Sequence, residues 1–419
     1  MDETTAVSVV VIAAAAVLAP LLAELLRRWR VPSVLFELLL GILVGPAVLG
    51  WVSVDKFIGG LSELGLAILF FMAGYEIDFQ KLRGAPISRA ITGWAISLVL
   101  GLSVGVLLML EGAVLSSLLI GLALTTTAVG ALLPMLHDRQ MLDSPFGSFI
   151  TAAGAVGEFG PIVAITLLLS ASSPATESIL LIAFAGVAVV VAALATRQQP
   201  PKFIEMMQRH LSTSTQLPVR IILLLVTVMV MLASRLGLDS LLGAFAAGII
   251  AHLALSKEQS DALSPRLGAI GFGFLIPVFF IVSGVQFDLD SLLSSSTTML
   301  KVPILLAMML LIRGLPALLV YRGVLSVRER GALTVLQCTT LPLLVVITQI
   351  GLDTGRMRPG NAAALVGAGM LSVLVLPLVG FAILGAGRNP AGSGVWSSPG
   401  VATGDPDVGE SESLGPIID

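Results

Sequence analysis

Polar positions along this chain are few and clustered. Between the clusters lie runs of about 18–25 mostly apolar residues, each long enough to cross a bilayer as a helix. The pattern predicts thirteen spans, near residues 5–27, 33–52, 60–80, 88–110, 114–136, 146–170, 177–197, 218–236, 239–255, 266–286, 299–321, 330–352 and 361–386. The span at 266–286 is rich in Gly and contains Pro277, which predicts a buried or bent helix. The longest internal connection, 198–217, splits the spans into two groups; its Phe203, Ile204, Met206 and Met207 suit a short interfacial helix. Past residue 388 the chain turns to Gly, Ser, Pro and acidic residues. The division expected is therefore a transmembrane domain over 1–387 and a disordered cytoplasmic tail over 388–419.

Composition agrees. A 419-residue chain that is 56% hydrophobic and 12% charged, with mean hydropathy +1.01, is excluded from the soluble globular class. Its one cysteine, Cys338, rules out an intrachain disulfide framework and reads as a packing residue. No basic patch with interleaved aromatics points to nucleic acid. No zinc spacing, Gly-rich phosphate loop or nucleophile–base constellation points to an enzyme or a cofactor. Met1-Asp-Glu runs straight into the first apolar stretch, so that stretch reads as an uncleaved first helix.

Charge then orients the spans. With the N-terminus outside, alternate connections and the tail collect Arg27, Arg28, Arg30, Lys81, Arg83, Arg89, Arg139, Arg197, Lys202, Arg209, Arg220, Lys257, Arg266, Arg322, Arg328, Arg330 and Arg388, seventeen of the 23 cations. The opposite side keeps Lys56, Arg235, Lys301, Arg356 and Arg358. Such an imbalance satisfies the positive-inside rule and places the protein in the cell membrane, N-out and C-in.

Two spans are interrupted alike. The fifth carries Thr125-Thr126-Thr127, Gly130 and Pro134; the twelfth carries Thr339-Thr340-Leu341-Pro342. Alone, a Thr run in a membrane helix is read as back-bonded to the preceding turn. Paired seven spans apart, the two point to inverted repeats whose broken helices frame a midplane site. Two charges fall inside spans next to these breaks, Glu158 on the sixth and Arg313 on the eleventh. Intramembrane ionisable groups are expensive and mark ion paths or proton relays.

Four stretches carry a family resemblance: Val31-Pro-Ser-Val-Leu-Phe-Glu37-Leu-Leu-Leu-Gly41-Ile-Leu-Val-Gly45-Pro46, Phe70-Phe-Met-Ala-Gly74-Tyr-Glu76-Ile-Asp78, Leu242-Gly-Ala-Phe-Ala-Ala-Gly248 and Pro277-Val-Phe-Phe280-Ile-Val-Ser-Gly284. Together they resemble the Kef/Nap-type sodium/proton and potassium/proton exchangers of the cation:proton antiporter superfamily, over residues 5–386. The resemblance implies an all-α, thirteen-helix antiporter fold with interleaved dimerisation and core subdomains, a homodimer, and a role in pH homeostasis. It implies crossing segments around Thr126–Gly130 and Thr339–Pro342, with Glu158 as the ion-binding acid. Relatives carry an acidic pair, or an amide beside Asp, where this chain has Gly157-Glu158. Arg313 stands where electrogenic members carry a Lys.

The chemistry expected is a carboxylate that binds a proton or a monovalent cation, never both. Loss of water and a nearby guanidinium would pull such a group in opposite directions. Glu158 supplies the charge for Na⁺ or K⁺; hydroxyls of Thr126 or Thr127 and freed backbone carbonyls supply neutral oxygens. One titrating carboxylate beside an Arg that keeps its charge predicts electroneutral exchange. Arg313 itself reads as a structural group that neutralises carbonyl ends or pairs with Glu158. Glu37, Glu76 and Asp78 read as solvated or locally bonded helix-end residues, and Asp138 after His137 as a loop or cap residue. His210 and His252 have no evident partner; Asp239 reads as an N-cap. Two alternatives stand beside the exchanger: a sodium-coupled carrier of a small organic anion on the same inverted repeat, and a non-transporting membrane sensor.

Overall fold

A computed structural model of the chain describes residues 3–26, 32–77, 82, 84–142, 144–169, 174–197 and 216–385. The predicted interfacial helix in 198–217, the tail 388–419, Asp78, His210 and several of the orienting cations lie outside the described residues.

Among the described residues every regular element is helical, and the helices fall into thirteen spans in the predicted order. They are α1 (Glu3–Leu25), α2 (Ser33–Val44), α3 (Lys56–Tyr75), α4 (Ala85–Leu110), the pair α5 (Ser117–Ala123) and α6 (Val129–Asp138), α7 (Pro145–Leu169), α8 (Pro174–Arg197), α9 (Leu217–Arg235) and α10 (Ser240–Ala254). After these come α11 (Lys257–Ile270) running into α12 (Ile276–Val285), the short α13 (Leu289–Leu293), α14 (Ser296–Met309) running into α15 (Leu315–Val320), the pair α16 (Val327–Leu336) and α17 (Pro342–Asp353), and α18 (Pro359–Gly385). Among the described residues, eight helices are long and apolar enough to cross a membrane unaided. Large apolar side chains such as Val10 and Leu21 on α1 and Val99 and Leu107 on α4 stay exposed. That is the surface a helix bundle turns to lipid, where backbone groups are satisfied within each helix.

Span ends follow local chemistry that hydropathy does not register. The second span was expected to reach residue 52 but stops at Val44, because Pro46 forces Gly45 into extended backbone (φ −73°, ψ 176°). The chain then folds back, with Trp51 and Val52 N–H groups both donating to the Val44 carbonyl. The tenth span begins at Lys257, not 266, since Ser256 and Gln259 form a capping box ahead of it. It does not break at Pro277; it widens into a π-turn at Gly271–Leu275. A second π-turn, Leu310–Gly314, precedes Pro316. In each, the carbonyl four residues before the proline, which its ring would strike, lies within the widened turn. Asp239 caps α10 as expected, its Oδ1 accepting from Leu241 N at 2.9 Å.

Small residues bring spans together. A Cβ on Gly41 of α2 would collide with the Ile281 carbonyl, and one on Gly284 of α12 with the Leu38 carbonyl. The two helices therefore touch backbone to backbone, as membrane helices do when dispersion, not hydrophobic exclusion, drives packing.

Candidate ion-binding site

The fifth and twelfth spans are both unwound in the middle, over residues 124–128 and 337–341. The two segments cross and bond to each other: Ala128 N donates to the Thr339 carbonyl at 2.8 Å, and Thr126 Oγ1 lies 2.8 Å from Thr340 Oγ1. Pro342 opens α17 at its first position, where a missing N–H costs nothing.

The helix behind the first crossing is shaped to receive it. Pro161 in α7 has no N–H, so the carbonyl four residues earlier, at Gly157, loses its helical donor. Thr127 N takes its place at 3.1 Å. One residue on, Glu158 Oε2 accepts from Val129 N at 3.1 Å, the first residue of α6. The carboxylate thus sits at a half-helix N-terminus, where unpaired N–H groups and the helix dipole favour negative charge.

Glu158 is 4% exposed, yet it lines a cavity of about 1190 Å³. Ala128, Gly130, Leu341 and Pro342 line the same space beside it, and Glu76, Glu24, Ser33 and Arg139 line its other parts. Glu76 is exposed, as a helix-end residue should be, but it faces this cavity. Arg139 lies over the Phe381 ring, 4.1 Å from its centroid. A separate cavity of about 400 Å³, lined by Glu63, Asp239, Asp288 and Asp353 among others, does not include Glu158.

Thr125 Oγ1 bonds back to the Leu122 carbonyl, and Thr126 Oγ1 to that of Ala123, both at 2.8 Å. Thr127 Oγ1 donates to the Gln337 carbonyl at 2.5 Å and accepts from Arg313 Nε at 3.1 Å. Of the crossing hydroxyls, that of Thr339 is fully buried with no hydrogen-bond partner.

The π-turn in the eleventh span carries Arg313 into the interior, 2% exposed. Its Nη2 donates to the Ala153 carbonyl at 2.7 Å, and its own carbonyl accepts from Gln337 Nε2 at 2.6 Å. No carboxylate among the described residues forms an ion pair with it. Its guanidinium thus bonds a carbonyl inside the continuous helix α7 and a crossing hydroxyl, and neither a broken-helix carbonyl end nor Glu158. A Cβ at Gly157 would stand 2.7 Å from Arg313 Nη2 and 2.5 Å from Thr127 Oγ1. The missing side chain at 157 is what admits the guanidinium, so Gly157 and Arg313 are one feature.

Sequence reasoning missed Ser372. Its Oγ accepts from Thr340 N at 3.0 Å and lies 2.8 Å from the Thr340 carbonyl. The signal was available in the repeat, since Ser372 follows the second broken helix as Glu158 follows the first. His252 is a second correction: Nδ1 lies 2.8 Å from the Tyr75 carbonyl, and the Tyr75 hydroxyl 2.8 Å from Ser260 Oγ. Glu37 is a third. It is locally bonded to Ser33, as one reading had it, but it is buried inside α2 and not at a solvated end.

Residues 13–385 match the family model of the sodium/hydrogen exchanger, transmembrane. The chain belongs to the sodium/hydrogen exchanger family. It is therefore a member of a transporter family and not an enzyme. YjbQ of Bacillus subtilis is 26% identical over 397 residues, 90% of this chain and 63% of that protein, so the chain spans under two thirds of that relative's length. The Na(+)/H(+) antiporter of Enterococcus hirae is 25% identical over 376 residues, 84% of this exchanger-family chain and 92% of that one. The solved sodium proton antiporter MjNhaP1 from Methanocaldococcus jannaschii superposes with a TM-score of 0.63 at 18% identity, covering 91% of this chain and 100% of that one. That likeness establishes a shared antiporter fold.

Proposed function

We propose that this exchanger-family protein is a secondary active antiporter that swaps Na⁺ or K⁺ for H⁺ by alternating access, with Glu158 as the shared site. The observation that carries the reading is the placement of Glu158: a buried carboxylate at the N-terminus of a half-helix, lining a cavity beside two crossing unwound segments. Such an oxygen binds a proton or a hard monovalent cation, and each displaces the other. The crossing supplies neutral oxygens nearby; Thr126 and Thr127 each keep a lone pair for a cation when their bonds rearrange. Arg313 acts as a fixed brace between α7 and both crossings, because a guanidinium does not deprotonate in proteins.

On this reading the cycle moves one cation against one proton and no net charge. By the positive-inside orientation, the cavity at Glu158 opens to the cytoplasm, with acidic Glu24 and Glu76 on its walls drawing cations in. We further infer that the protein is a homodimer in the cell membrane, works in pH homeostasis, and belongs to the Kef/Nap-type branch within the family.

The test is a pH-probe assay in everted vesicles. Addition of Na⁺ or K⁺ is expected to release trapped protons, and a series over Li⁺, Na⁺, K⁺ and Rb⁺ defines the substrate. Silence with all four cations would overturn the reading in favour of a coupled anion carrier or a sensor. In proteoliposomes, a clear response of exchange to an imposed membrane potential would overturn the one-carboxylate cycle.

A further inference from the structure

One buried acid takes no part in this cycle. Glu37 lies inside α2, 4% exposed, and its Oε2 has no hydrogen-bond partner. An ionised carboxylate without donors is untenable in an apolar interior; it needs water or it needs its proton. The Ser33 hydroxyl, one turn earlier, hydrogen-bonds this carboxyl and lines the cavity that Glu158 also lines. The cavity thus lies one side chain from Glu37.

The setting of α2 gives that proton something to control. Glu37 is one turn from Gly41, where α2 and α12 meet backbone to backbone with no room for a methyl group, let alone water. The neighbouring Leu38 packs with Leu341, Val366 and Val373, and Leu341 closes the second crossing and lines the Glu158 cavity. So α2 is wedged between α12 and the broken helix of the exchange site. Charged groups on the elements packed against α2 are few among the described residues. They are Glu3 and Glu24 at the two ends of α1 and Asp353 at the far end of α17; α12 and α18 have none. Among the described residues of these elements there is no cation to pair with Glu37.

We propose that Glu37 is a second proton-binding site, separate from the exchange site, whose protonated form keeps α2 closed on α12 and whose deprotonation, hydrated through Ser33, loosens that contact and sets the alkaline side of the pH dependence. The proposal rests on the exchanger reading for its activity readout only. Its proton modulates transport without entering the exchange stoichiometry.

Glu37→Gln mimics the protonated acid. In the vesicle assay it is expected to exchange cations with unchanged apparent KM while losing the alkaline limb of the parent pH profile. A profile that superimposes on the parent overturns the proposal. The unsubstituted protein gives a second measurement that does not depend on how the variant folds. Dicyclohexylcarbodiimide, which reacts with protonated carboxyls in apolar surroundings, is expected to label the Glu37 peptide at acidic pH, and labelling should fall as pH rises whether or not Na⁺ or K⁺ is present. Labelling of Glu37 that ignores pH overturns the proposal. Absence of cation-driven proton movement in the parent overturns the exchanger reading instead, while the Glu37 labelling still stands or falls by itself.

Discussion

Two spans perform the same mechanical task in this molecule with different chemistry. Glu158 on α7 accepts the N–H of Val129 at the first crossing, and Ser372 on α18 accepts the N–H of Thr340 at the second. Each unwinding leaves backbone donors without helical partners, and a buried donor must be paired. The fold therefore demands an acceptor at both places, and a hydroxyl is enough. A carboxylate at one of them also answers the half-helix dipole, at the expense of burying a charge. On the proposed reading, what Glu158 has beyond Ser372 is the ionisable group that exchange needs.

The sharpest break of this comparison is Glu158→Gln. The amide oxygen still accepts from Val129 N, so the crossing and the thermal unfolding temperature should survive, while cation-dependent proton movement in everted vesicles is abolished. Retained exchange would move the site elsewhere. Next in size is Arg313→Ala. It removes charge-assisted bonds to Ala153 and Thr127, and with hydrogen bonds to charged groups contributing about 1.5–3 kcal/mol each, a loss of about 3 kcal/mol is expected. Unfolding measurements should register this well before turnover per folded protein changes; the reverse order would make Arg313 part of the cycle. Gly157→Ala should cost about 1–3 kcal/mol by overpacking against the guanidinium. Combined with Arg313→Ala, the part of that cost due to the guanidinium should vanish while the clash with Thr127 remains, a partial non-additivity that a double-mutant cycle detects when residues share one space.

Hydropathy made the thirteen spans legible because the bilayer imposes one length scale on all of them. It misplaced ends such as Val44 and Lys257, which are decided by a Gly-Pro pair and a capping box and not by apolarity. The broken helices were legible because Thr runs with a nearby proline recur seven spans apart. Glu158 was legible because a carboxylate in an apolar run has no cheap explanation. Gln337 was not, since a single polar residue in a membrane helix is common and its partner is a backbone group far away in sequence; Ser372 was overlooked although the repeat pointed to it. The choice between an Arg313–Glu158 pair and a carbonyl-bound Arg313 was also hidden. It depends on the direction the side chain takes out of a π-turn, and a helical period of 3.6 does not encode that extra residue.

The smallest expected effect tests the other arm of the comparison. Ser372→Ala leaves Thr340 N–H without its acceptor, and loss of a cap of this kind costs about 1 kcal/mol. The substitution removes no charge and no atom that lines the Glu158 cavity. Unfolding temperature should fall slightly, while the cation series and pH profile of exchange keep the parent's shape. Were Ser372→Ala to silence exchange as fully as Glu158→Gln, the two caps would be functionally equivalent. The crossing geometry as a whole, and not the carboxylate within it, would then have to be the exchanging element.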